Sequence, residues 1–105
     1  MLIQALVRRI SAEGGFAAVL HRGDSISGAI LVSCPDADRK SRLFERMPDF
    51  SGGYGLVPVA RSSWGDEDQI TDYIVRRRNA DPDLWVVELD IPNGERFAAA
   101  ILGDD

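Results

Sequence analysis

Asp81-Pro82-Asp83-Leu84-Trp85-Val86-Val87-Glu88-Leu89-Asp90, followed at once by Ile91-Pro92-Asn93-Gly94, is the stretch whose reading decides the fold. Pro82 cannot continue a helix, so any helix arriving from the N-terminal side stops there. From Leu84 to Asp90 the pattern alternates, with Trp85, Val87 and Leu89 on one face and Leu84 and Val86 on the other. A strand apolar on both faces belongs inside a sheet. Asn93-Gly94 is a hairpin signal, because a type I′ turn needs positive φ at both central positions. It predicts a return strand from Arg96 to about Ala100, with a short helix through the alanine run as the alternative.

Upstream, residues 66–80 read as a helix. Asp66 with Gln69 three residues on resembles a capping box, and Asp66-Glu67-Asp68 sets three carboxylates where the helix dipole favours them. Arg76-Arg77-Arg78 occupies the last turn, where positive charge is favoured. Residues 2–13 form a second amphipathic helix, with Leu2, Ile3, Leu6, Val7 and Ile10 on one face and Glu13-Gly14-Gly15 as its stop. Between the helices, Phe16–His21 and Gly28–Ser33 read as strands apolar on both faces, which suits central strands covered on each side, or strands covered by helices on one side and by a partner on the other. The short Arg22–Ser27 link makes a hairpin their simplest connection. Arg42–Met47 is a third strand, 48–55 the most irregular segment, and Leu56–Ala60 a strand that Pro58 pushes to an edge.

The chain of 105 residues has the size of one domain, 1–105, and no internal repeat. Its apolar runs are far shorter than the roughly 20 residues of a membrane span, and no signal-peptide pattern opens it. Cys34 is the only cysteine and His21 the only histidine, which rules out an internal disulfide and falls short of a zinc site. Cytoplasmic residence is the expectation, and no cofactor or metal is implied. A net charge of −5 lacks the basic footprint of a nucleic-acid binder.

The candidate ligand or partner contacts are Arg8, Arg9, Arg22, Asp24, Trp64, Arg76, Arg77 and Arg78. Arg22-Gly23-Asp24 is foremost a turn, since glycine and aspartate are what a turn demands; otherwise it is a loop presenting two charges. Trp64 serves as a hydrophobic staple against Ile70, or else as an aromatic anchor for a partner. Arg8-Arg9 and Arg76–Arg78 would make one basic face if their helices lay side by side, although solvated helix faces are the plainer reading. His21 has no sequence-near partner to orient it as a base. Cys34 reads as an inert thiol.

Ala5-Leu6-Val7-Arg8-Arg9, Gly15-Phe16-Ala17-Ala18-Val19, Arg22-Gly23-Asp24, Gly28-Ala29-Ile30-Leu31-Val32 and Asp81 to Glu88 together resemble a family of small alphaproteobacterial proteins, catalogued as domain of unknown function 1491. The stretch from Cys34 to Trp64 carries little of the likeness. The resemblance implies a source and a size class; it implies no activity and offers no catalytic residues.

The expected architecture is α+β in the order α-β-β-β-(β)-α-β-β: a mostly antiparallel sheet of four to six strands with two helices on one face. No nucleophile with a base, phosphate loop or metal spacing is present, so a non-enzymatic binding module is favoured, pairing with itself or with another protein. The strands are so apolar that one sheet face is expected to need covering by a second copy. The alternative is a nucleic-acid or nucleotide binder using the arginine-rich helix faces. A third reading is a small enzyme using His21, Asp24 or Glu88.

Overall fold

The computed structural model describes residues 2–24 and 29–103. In chain order these form α1 (Leu2–Ala12), β1 (Phe16–His21), β2 (Ile30–Ser33), β3 (Leu43–Pro48), β4 (Tyr54–Pro58), a 3-10 turn at Arg61–Ser63, α2 (Glu67–Ala80), β5 (Trp85–Asp90) and α3 (Gly94–Leu102). The fold is α+β. One five-stranded sheet has the order β1-β5-β2-β3-β4. It is antiparallel throughout except where β2 and β5 run side by side in parallel.

β5 behaves as its alternation predicts. Trp85, Val87 and Leu89 enter one buried cluster with Ile30 and Val32 of β2 and Phe44 of β3. Ile3, Leu6 and Ile10 of α1 and Ala98 and Leu102 of α3 cover that cluster. Leu84 and Val86 point the other way, into a cluster with Leu31, Leu43 and Ile70, the last from α2. The sheet is thus the middle of three layers, with α1 and α3 on one face and α2 on the other. The expectation that both helices share a face is corrected: β2 and β5 carry apolar side chains both ways, and each face needs its own helical cover.

Two connections also differ from expectation. β1 and β2 do not pair with each other; β5 lies between them. Beyond β1 the chain crosses closely over the start of β5, where the Asp24 amide donates to the Asp83 carbonyl at 3.0 Å. A Cβ on Gly23 would lie 2.0 Å from that same oxygen. This crossing carries the chain past β5, so β2 adds on the far side. The predicted turn residues Ser25–Ser27, and Gly28 at the expected start of the second strand, lie outside the described residues.

The second correction is at the C-terminus, where the predicted return strand is α3. Asn93 takes a left-handed conformation, φ 60° and ψ 33°, but Gly94 does not follow it to positive φ, so no type I′ hairpin forms. Gly94, Ala98 and Leu102 recur at helical spacing on the buried face. The intervening alanines are the best helix formers, and helix wins.

The helix boundaries follow their signals. The Gly14 amide donates to Ser11 O and the Gly15 amide to Ile10 O, with Gly14 at φ 85°. That is a Schellman stop after α1. At α2 the Asp66 carboxylate accepts from the Gln69 amide at 3.1 Å. The Gln69 side chain turns to the Ser63 hydroxyl instead of closing the box.

Candidate interaction surface

The surface that stands out begins at β1, one of the two sheet edges. Edge strands expose unpaired backbone groups and are usually blunted by charge, proline or irregularity. β4, at the opposite edge, ends in Pro58. β1 reads Phe-Ala-Ala-Val-Leu-His, with neither proline nor a carboxylate, lysine or arginine. Its one irregularity is a bulge at its far end, where the register shifts between Val19 and His21.

The register fixes the faces of β1. Phe16 and Ala18 lie opposite Asp90 and Glu88, on the α2 side. Leu20 is the extra residue of the bulge and has no partner of its own on β5. Ala17 and Val19 lie opposite Leu89 and Val87, on the α1 side. α2 reaches over β5, β2 and β3 but leaves this margin open: Phe16 is 67% exposed, Leu20 54% and Val75 of α2 45%. The chain's own helices cover both faces of the central strands, so the apolar side chains left exposed on the sheet lie toward its margins: Phe16, Val19 and Leu20 at this edge, and Met47, Tyr54 and Val57 toward the opposite one. Beside it, His21, Val75, Arg78, Asn79 and Pro82 line a shallow depression of about 270 Å³.

On the α1 side of the same strand is a cleft of about 560 Å³, lined by Ile3, Gln4, Val7, Arg8, Val19, Arg22 and Trp85. It unites two of the arginines singled out in the sequence. The Asp24 carbonyl helps to fix its floor by accepting from Trp85 Nε1 at 2.7 Å.

The other candidates disperse. Arg9 pairs with Glu13 at 3.1 Å and lies over the Phe97 ring. Trp64 is half-buried, donates from Nε1 to the Val59 carbonyl at 2.9 Å and packs on Phe44 and into the cluster around Ile70. It packs against both buried clusters of the sheet. Arg76 lies over Tyr73. Arg77 makes a two-pronged bond to the nearly buried Glu45 carboxylate, at 2.7 and 2.8 Å. Arg78 lines the depression beside His21. With α1 and α2 on opposite faces, Arg8-Arg9 and Arg76–Arg78 do not make one basic face, which corrects that expectation.

Glu45 went unremarked in the sequence, though its signal was present: it shares the parity of Leu43 on a strand and so points into the α2 layer. A polar cleft near the C-terminal ends of the parallel strands β2 and β5 was also missed. Asp36, Arg39, Arg42, Asp90 and Glu95 line it, with a volume of about 600 Å³. Its charges are already matched. Arg39 bonds Asp90 at 2.9 Å and Arg42 bonds Glu95 at 2.8 Å. The Asp36 carboxylate accepts from the Asp38 and Lys40 amides. Cys34 lies nearby beneath Gly94, and burial, reinforced by the Glu95 charge, pushes its thiol up to about 12. A thiol so held stays protonated and is a poor nucleophile. Among the described residues no group of three His, Cys, Asp or Glu side chains could hold a metal ion, and no helix is long and apolar enough to cross a membrane.

A family model described as a protein of unknown function, DUF1491, matches residues 1–99, through the middle of the chain as well as its ends. The chain belongs to the DUF1491 family. Its structure is similar to the crystal structure of a DUF1491 family protein from Caulobacter crescentus CB15, with TM-score 0.78 and 32% identity over 90% of this chain and 88% of that one. An NMR structure of a DUF1491 family protein from the same organism gives TM-score 0.76 and 34% identity over 91% and 86%. The solution structure of an A. tumefaciens protein gives 0.69 and 30% over 89% and 84%. No curated protein matches the DUF1491 chain.

Proposed function

We propose that this chain is a non-enzymatic binding module that pairs with a second copy of itself through β1. The observation that carries the reading is an apolar edge without proline or formal charge, regular from Phe16 to Val19, with Phe16 and Leu20 exposed beside it. Antiparallel pairing about a two-fold axis through Ala18 would bring Phe16 of one copy close to the bulged Leu20 of the other. The same register sets Ala17 across from Val19 on the α1 side. Directly opposed apolar pairs are the stabilising unit of an antiparallel ladder, and a self-complementary patch is what a two-fold interface requires. The edge that invites aggregation would be consumed in one ten-stranded sheet. The dispersal of the arginines leaves the nucleic-acid reading without a patch. The lone buried cysteine suits a reducing compartment, and we place the protein in the cytoplasm.

Light scattering after size exclusion tests the reading. The wild-type chain should elute at twice its 11.5 kDa at micromolar concentration, and Phe16→Lys/Leu20→Lys should elute as a folded monomer. A wild-type chain that stays monomeric at high micromolar concentration would refute it.

A further inference from the structure

The cleft between α1 and β1 joins apolar walls to two arginines. Its walls are Ile3, Val7, Val19 and the Trp85 ring, and its charged lining residues are Arg8 and Arg22. No carboxylate lines it, although the chain as a whole carries a net charge of −5. Arg9, Arg39, Arg42 and Arg77 each hold a carboxylate of this chain. Among the described residues neither Arg8 nor Arg22 has such a partner. Two arginines without a carboxylate partner among the described residues, one on α1 and one just past β1, thus line one apolar trough.

We infer that this cleft binds a small amphiphilic acid, with its carboxylate on Arg8 and Arg22 and its apolar chain along Val7, Val19 and Trp85. Guanidinium is the donor best shaped for a carboxylate, since its parallel N–H groups match the two oxygens. The volume falls within the range of small-molecule sites, and mostly apolar walls with a few convergent polar groups are their usual composition. A nucleotide suits the lining less well, because the Gln4 amide is the one neutral side chain there that could read the hydrogen-bonding edge of a base. All of the lining comes from one chain, so the inference does not depend on self-pairing through β1.

Decanoate and its uncharged counterpart decanol are the probes, titrated into the full chain and followed by amide and indole NMR below the concentration at which they aggregate. Decanoate should produce saturable shifts centred on the Trp85 indole and the Val7 and Val19 amides. Arg8→Gln/Arg22→Gln alters two exposed side chains and should leave the fold intact. It should weaken decanoate by roughly tenfold or more, as expected for lost charge-assisted hydrogen bonds, while decanol binding stays the same in both chains. Equal decanoate affinity in the double variant and the wild type would overturn the inference, as would shifts centred elsewhere or none that saturate. Retention on phosphatidylglycerol vesicles without saturable decanoate binding would also overturn it, assigning the two arginines to a lipid surface.

Discussion

Replacing Trp85 with alanine tests the centre of the fold. The side chain is 4% exposed and belongs to the cluster that joins β5, β2, α1 and α3. A tryptophan buries about 200 Å², and at about 25 cal/mol per Å² its burial is worth about 5 kcal/mol. Alanine retains part of that, and large-aromatic truncations cost about 3–5 kcal/mol once the cavity is included. The Asp24 carbonyl would also lose the indole donor that it accepts from at 2.7 Å, at a further cost of about 1 kcal/mol. A whole domain has only about 5–15 kcal/mol, so Trp85→Ala should lie near the limit of folding. With a urea slope of about 1–3 kcal/mol per molar, the unfolding midpoint should fall by more than about 1 M. Trp85→Phe keeps most of the packing and loses the indole donor, and its midpoint should lie between the other two. Urea melts followed by far-UV circular dichroism, at one fixed protein concentration because self-association would shift them, read both variants. A Trp85→Ala midpoint near wild type would refute the assignment of Trp85 to the core. Equal losses in the two variants would show that the bond to Asp24, and not packing, dominates.

Three further outcomes are expected. Glu45→Ala leaves the half-buried Arg77 guanidinium without its partner, so it should cost more stability than the paired change Glu45→Leu/Arg77→Met, which removes both charges; urea midpoints that rank the other way would count against a structural role for the pair. Cys34 should resist a disulfide reagent at pH 8 in the native state and react at once in denaturant, because burial keeps its thiol at about 12; rapid native labelling would contradict its placement beneath Gly94. Burial acts to raise the Glu95 carboxyl, yet its own backbone amide and Arg42 together hold it below the ordinary value of 4.5. A carboxylate depressed in the folded state contributes stability above its unfolded pKa and loses it as pH falls through the folded one. Melting temperatures of wild type and Glu95→Gln should therefore converge as pH drops below about 4.5, and a constant gap from pH 7 to pH 3 would disprove the linkage.

The parts of the fold that were legible in the sequence are those fixed by local pattern. Leu84 to Asp90 shows its two faces by alternation, Asp66 its cap by side-chain chemistry, and Pro58 its edge by the missing N–H. What could not be read depends on distant partners. Nothing in Phe16–His21 or Ile30–Ser33 states that β5 will come between them; that depends on the crossing at Gly23, a contact with residues sixty positions away. Asn93-Gly94 misled because a left-handed residue opens a hairpin only if the next residue continues it, and here Ala98 and Leu102 gain more by packing on α1 and the sheet. Arg8 and Arg22 were singled out separately. Their common cleft is a product of α1 lying over β1, which the sequence pattern does not encode.

The place of β5 has a consequence for how the chain comes to be folded. During synthesis α1, β1, β2 and the β3–β4 hairpin are all made before residue 85, and the segment that joins them follows all of them. Until then β1 has a partner on neither side, and β2 has one only on its β3 side. The nascent chain thus presents three open strand edges made largely of alanine, valine, leucine and isoleucine. Contacts this distant in sequence form slowly, and unpaired apolar edges promote association while they wait. The vulnerable form of this protein is the chain before β5 has docked, and changes that weaken β5 should reduce soluble yield well before they are visible in the purified fold.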